Sequence, residues 1–130
     1  MTSTHVVETE TSRTWREPSG LVVQVVKVGA QLEQDTAEQD IAASLSLLDD
    51  GMAQVLVNVS GCHSVSRPAR KLFMQTAEEK FDFAALVTGD GLADVVGNFW
   101  LKLSANPSSN AIRLFRTEDE ARAWFEGRTR

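Results

Sequence analysis

The spacing of apolar side chains changes period several times along this 130-residue chain, and each change marks an element. Leu21-Val22-Val23-Gln24-Val25-Val26-Lys27-Val28 is dense in β-branched residues, and Gln24 and Lys27 break any strict alternation. β-Branched side chains suit a pleated surface, and a run without clean alternation suits a largely buried strand. Upstream, Thr11 to Trp15 reads as a partner strand. Glu17-Pro18-Ser19-Gly20 supplies the turn, with Pro presetting φ and Gly accepting a positive φ. The body of the chain thus opens with a β-hairpin, while residues 1–10 carry neither period and read as a flexible tail.

Beyond Gly29 the period lengthens. From about Glu33 to Leu48, Ala37, Ile41, Leu45 and Leu48 recur three or four apart on one helical face, and Asp35 and Glu38 have capping-box spacing near its start. Asp49-Asp50-Gly51 ends the helix, and Ala53 to Val59 returns to a period of two with Val55, Val57 and Val59 on one side. Ser66-Arg67-Pro68 combines an N-cap with a first-turn proline, predicting a helix to about Lys80 that buries Ala69, Leu72, Phe73 and Thr76. Phe83 to Val87 is the next strand, closed by Gly89-Asp90-Gly91.

Leu92, Val95, Val96, Phe99 and Leu103 trace another amphipathic helix, broken by Asn106-Pro107-Ser108-Ser109-Asn110. Ala111 to Phe115 is a short strand, and Thr117-Glu118-Asp119-Glu120 is a capping box opening a helix that buries Ala121, Trp124 and Phe125. The predicted class is α/β in one domain over 11–127: an N-terminal hairpin, then alternating helix and strand. The sheet is mixed and mostly parallel, of about five strands with an antiparallel edge. Its four helices form a layer over one face or cover two faces unequally.

Composition narrows the function classes. The 42% apolar and 24% charged fractions are those of a globular domain, and no apolar stretch approaches the 20 or so residues of a membrane span. The start, Met-Thr-Ser-Thr-His, lacks a signal-like apolar run, so the cytoplasm is the expected location. A net charge of −5, with no Lys/Arg block longer than a dipeptide, gives nucleic-acid binding no electrostatic source.

Candidate chemistry is sparse. Cys62-His63 suggests a metal or a nucleophile, but a structural metal takes about four ligands and a catalytic one about three, and the other histidine is His5 in the tail. A thiol nucleophile also needs a base and an electropositive pocket. Glu78-Glu79 and Glu118-Asp119-Glu120 read as solvated helix faces, and Gly89-Asp90-Gly91 lacks the spacing of a phosphate loop. No enzyme activity, metal or cofactor is therefore expected.

Two stretches stand out as surfaces. The strand-to-helix junction from Ser60 to Arg70 offers free amide groups at a helix start, with Ser60, Ser64, Ser66, Arg67 and Arg70 as a candidate anion or partner site. The plainer reading gives Ser66 the cap and leaves Arg67 and Arg70 solvating the first turns. In the helix from Leu92 to Leu103, Ala93, Gly97, Trp100 and Leu101 carry the apolar arc far around the side, leaving Asp94, Asn98 and Lys102 as the polar stripe. An arc this wide meets either a neighbouring helix or a second chain, so these four residues form a candidate dimer interface.

The element order resembles the STAS fold of anti-sigma-factor antagonists and sulfate-transporter tails over residues 12 to 127. Through Val59-Ser60-Gly61, Ser64-Val65-Ser66-Arg67, Val96-Gly97-Asn98-Phe99-Trp100-Leu101-Lys102-Leu103 and Ala121-Arg122-Ala123-Trp124-Phe125, the chain looks like the small bacterial STAS/SEC14-type domains of unknown function. The antagonists carry a phosphorylated serine at a helix start. Here that motif's place reads Ser66-Arg67-Pro68-Ala69, with Arg67 where the serine would stand, and arginine cannot accept the phosphoryl charge that works such a switch. The resemblance implies a non-catalytic interaction or regulatory module, expected as a homodimer and as a partner for another protein. The alternative it implies is a small-molecule or lipid carrier.

Overall fold

A computed structural model of the chain describes residues 5–49, 53–89 and 112–127. Its elements run β1 (Val6–Glu8), β2 (Ser12–Arg16), β3 (Val22–Val26), β4 (Gln31–Leu32), α1 (Gln34–Ser46), β5 (Gln54–Asn58), β6 (Ser64–Val65), α2 (Arg67–Lys80), β7 (Phe83–Val87), β8 (Ile112–Phe115) and α3 (Glu118–Glu126). Six strands form one sheet in the order β1-β2-β3-β5-β7-β8. The hairpin pairs antiparallel and the four strands β3, β5, β7 and β8 run parallel. The mixed, mostly parallel sheet with an antiparallel edge is therefore present.

Alternation along the central strands divides the core between two faces. Val22, Val55, Ala84 and Ile112 are buried together with Ala77 of α2, and Val26 and Val59 with Ala37 of α1 and Ala69 of α2. The intervening residues Val23, Leu56, Ala85 and Val87 point the other way, onto Ala121 and Phe125 of α3. Among the described helices, α1 and α2 thus share one face while α3 lies on the opposite one.

Local chemistry explains the joints. The hairpin turn closes with Gly20 N–H donating to Glu17 O at 2.8 Å, and Gly20 sits at φ 96°, which glycine adopts without a Cβ penalty. Ser66 caps α2 by accepting from Ala69 N–H at 3.2 Å, and Thr117 caps α3 by accepting from Glu120 N–H at 3.3 Å, both as the sequence predicts.

Four features differ from the expected pattern. The main sheet has six strands, because Val6–Glu8, inside the predicted tail, pair with β2 through Val6↔Trp15 and Glu8↔Arg13. Three residues are too few to show a period, and what fixes them is their partners: Lys27 Nζ donates to Glu8 Oε2 and Thr9 O, each at 2.9 Å. A second, two-stranded sheet, β4 with β6, was not anticipated for the same reason of length. Helix α1 starts at Gln34 with Glu33 as its N-cap, and Thr36 rather than Glu38 makes the reciprocal contact, its Oγ1 accepting from Glu33 N–H at 2.9 Å. Three helices are seen among the described residues; the helix predicted from Leu92 to Leu103 and the loop Asn106 to Asn110 lie outside them.

Candidate functional site

The carboxyl end of β5 leads into α2 through a tightly tied junction. Asn58 Oδ1 accepts from both Ser60 N–H at 3.0 Å and Ser60 Oγ at 2.6 Å, turning the chain out of the strand. Gly61 O then accepts from Gly29 N–H, His63 N–H donates to Ala30 O, and Ser66 N–H donates to Leu32 O, so the β3–β4 loop and this junction hold one another. Gly61 makes a close approach, since a Cβ there would stand 3.1 Å from Val28 Cγ2 and 3.3 Å from Val28 Cα and would push that residue aside. Val28 itself is 92% exposed, an apolar side chain standing at the parallel strands' carboxyl ends.

The candidate residues divide in role. Ser60 is exposed and committed to Asn58; Ser64 lies in β6 opposite Gln31; the Ser66 hydroxyl is the helix cap. Arg67 is exposed in the first turn of α2. Arg70, one turn further, is half-buried against an apolar slot, and its guanidinium makes no hydrogen bond or ion pair among the described residues.

Cys62 and His63 part company. The thiol is buried, with Sγ 3.2 Å from Ala30 O and 3.1 Å from Ser64 O, and burial pushes its pKa up. A raised thiol pKa is the opposite of nucleophile activation. His63 is exposed. Among the described residues no three His, Cys, Asp or Glu side chains gather as metal ligands.

The slot that Arg70 overlooks lies along the sheet face shared by α1 and α2. Phe73, Met74 and Ala77 of α2, with Phe81 at its C-cap, form one wall, and Val55, Val57, Ala84, Leu86 and Ile112 of three adjacent strands form the floor. Phe73, Met74, Phe81, Val57 and Leu86 are only partly buried. The slot follows from the sheet's width: α1 and α2 pack side by side over β2, β3 and β5, leaving the side toward β8 without a described helix.

Sequence reasoning overlooked a second polar centre on that face. Asp40 of α1 is fully buried, its carboxylate accepting from Thr9 Oγ1, Thr11 Oγ1 at 2.7 Å and Ser12 Oγ at 2.8 Å, while Gln24 Nε2 donates to Asp40 O at 2.6 Å. Its signal was an acid falling between Ala37 and Ser44 on the inward stripe of α1, three hydroxyl residues lying upstream. The four residues of the candidate dimer interface, Ala93, Gly97, Trp100 and Leu101, lie outside the described residues.

Comparison with known proteins agrees with this architecture. The crystal structure of an uncharacterized protein of the DUF3478 family with a SpoIIAA-like fold, from Shewanella loihica PV-4, matches with a TM-score of 0.52 at 14% identity. The match covers 94% of this chain and 91% of that one. At that identity the likeness is one of fold, and the fold is SpoIIAA-like, that is, STAS-like. A search of the curated proteins finds no match. A family model described as a domain of unknown function, DUF7793, matches residues 14–128, and the chain belongs to that family.

Proposed function

We propose that this STAS-like domain acts by binding rather than by chemistry, as a self-associating protein-interaction module. One observation carries the reading: the chemically capable side chains of the β5–α2 junction are spent on the fold. The Cys62 thiol lies between two carbonyls, Ser60 is held by Asn58 and Ser66 caps α2. A nucleophile–base pair must present an accessible nucleophile oriented by its base, whereas the Cys62 thiol is buried and the two hydroxyls are oriented by Asn58 and by the start of α2. Exposed Val28, beside Gly61, instead offers contact area for a protein partner.

Self-association is assigned to Ala93, Gly97, Trp100 and Leu101, whose small and aromatic residues suit close helix approach. Light scattering at high concentration tests it. A dimer mass in the parent protein that falls to the monomer value in Gly97→Glu supports the reading, and a monomeric parent ends it.

The carrier reading has one observation of its own, the apolar slot lined also by Arg70, whose guanidinium has no partner among the described residues, which suits an amphipathic anion. An organic molecule retained in native mass spectrometry, and lost in Arg70→Ala, would favour it.

A further inference from the structure

We infer that the outer edge of β1 pairs antiparallel with the same strand of a second copy of this chain, joining two six-stranded sheets about a two-fold axis at Val7. The pairing rests on the self-association proposed above and assigns it to residues other than Ala93, Gly97, Trp100 and Leu101. In the main sheet β1 is an end strand, bonded on one side to β2. Thr9 N–H donates to Ser12 O at 2.9 Å, in the register that sets Val7 against Thr14. Inward and outward groups alternate along a strand, so Val7 and Thr9 turn their N–H and C=O to β2 while Val6 and Glu8 turn theirs away. Among the described residues no strand pairs with that outward side.

A second copy fits because these donors and acceptors are self-complementary. With Val7 opposite Val7 on the axis, Val6 N–H meets Glu8 O of the second copy and Val6 O meets its Glu8 N–H, each bond repeated by the symmetry. All of β1 is then used. Centring the axis on Glu8 sets two carboxylates directly opposite, which destabilises a strand pair, and centring it on Val6 sets Glu8 against residue 4, outside β1.

The side chains agree with this register. Val6, like Val28, is a large apolar side chain left exposed, and its cross-strand neighbour Trp15 continues the apolar surface toward the core. An apolar residue on an open edge is what strand pairing covers. A charge on the edge would keep another strand away, but Glu8 is already engaged: Lys27 Nζ lies 2.9 Å and Arg13 Nε 3.4 Å from its carboxylate. In the Val7-centred pair each Glu8 stands beside Val6 of the other copy rather than beside Glu8. The contact is small, that of a weak dimer formed at high concentration.

Disulfide trapping in the full chain tests the register. With Cys62→Ala removing the native thiol, Val7→Cys is compared with Val6→Cys and Val28→Cys under mild oxidation at high concentration. Opposed residues of a non-hydrogen-bonded pair have Cα atoms about 4.5 Å apart, within the span of about 4.4–6.8 Å that a disulfide bridges, whereas the two Val6 residues stand out of register. Val7 is half-buried and less open to random collision than either control. The expected result is an interchain disulfide several-fold more abundant for Val7→Cys than for Val6→Cys or Val28→Cys. Equal or greater yield at a control position, or no disulfide at all, overturns the pairing.

Val6→Pro supplies a second measurement. The Val6 N–H points away from β2, so proline removes bonds to the second copy and none to the ladder, the position at which edge strands tolerate it. Circular dichroism and the urea midpoint should match the parent's, while the dimer dissociation constant from light scattering rises at least about tenfold. A dimer kept in Gly97→Glu and weakened in Val6→Pro supports the edge pairing and ends the assignment to Ala93, Gly97, Trp100 and Leu101. A dimer lost in Gly97→Glu and unmoved in Val6→Pro overturns the edge pairing and leaves that assignment standing. A monomeric parent overturns both, and a mass growing beyond the dimer, which points to an open array of β1 on β8, overturns the two-fold pairing.

Discussion

A carboxylate taken wholly out of water needs donors on every side, and Asp40 has them in Thr9, Thr11 and Ser12. Among the described residues its side-chain donors are these three hydroxyls and no cation. Asp40→Ala would leave the buried Thr11 and Ser12 hydroxyls without their acceptor and cost about 2–4 kcal/mol. The urea midpoint should fall accordingly, with Asp40→Asn, which keeps an oxygen acceptor, losing less. An unchanged midpoint in the alanine variant would show the network to be energetically idle. Residues such as Asp40 are the hardest to read from sequence. Periodicity finds side chains that avoid water, whereas a buried polar group is justified by partners that lie 28 to 31 residues away in the chain. Gln24 is the contrasting case: its break in the strand pattern is plain in the sequence, and its amide proves to be buried against Thr14 and Asp40.

Elements announced themselves where their own residues determined them. Phe83–Val87 forms as predicted, and both Ser66 and Thr117 cap where the motifs place them, since a cap needs only the three or four residues beside it. Val6–Glu8, Gln31–Leu32 and Ser64–Val65 were illegible because a two- or three-residue strand exists only through its neighbour. Clasps between elements are equally silent. Arg122 of α3 donates to both carboxylate oxygens of Glu17 at 2.7 and 2.8 Å, tying the hairpin turn to the last helix. Hydrogen bonding to Arg122 holds the Glu17 carboxyl below the usual range. A depressed carboxylate contributes stability above its unfolded pKa of about 4.3 and loses it as pH falls through the folded value. Glu17→Gln should therefore cost about 1 kcal/mol at pH 7. Urea titrations at a series of pH values should show the gap to the parent closing below about pH 4. A gap independent of pH would assign the loss to packing instead.

For the molecule as a whole, strand position sets the hierarchy of stability. β3 and β5 sit in the middle of the sheet with helices on both faces, and β1 is a three-residue edge with Val6 45% exposed. Hydrogen exchange should find the amides of Val22–Val26 and Gln54–Asn58 opening only with global unfolding. Those of Val6–Glu8 and of the β4–β6 pair should exchange at least about tenfold faster through local opening. Uniform protection would mean that the small sheet and the edge unfold with the core. The fold class was legible at this scale because alternation of periods dictates a layered α/β sheet. Which helix lies on which face follows only once strand order is known.

That α3 is the one helix described on the second face has a consequence for how the protein is made. Leu21, Val23, Leu56, Ala85 and Val87 are covered by Ala121 and Phe125, and residues 118–126 leave the ribosome after every strand of the sheet. During synthesis the completed hairpin and β5 must wait without the cover of Ala121 and Phe125 until α3 emerges, and chains halted before it carry that part of the face into the cell without α3. Shielding of nascent chains by a holdase, more than any single contact in the finished domain, would then decide how much of it accumulates.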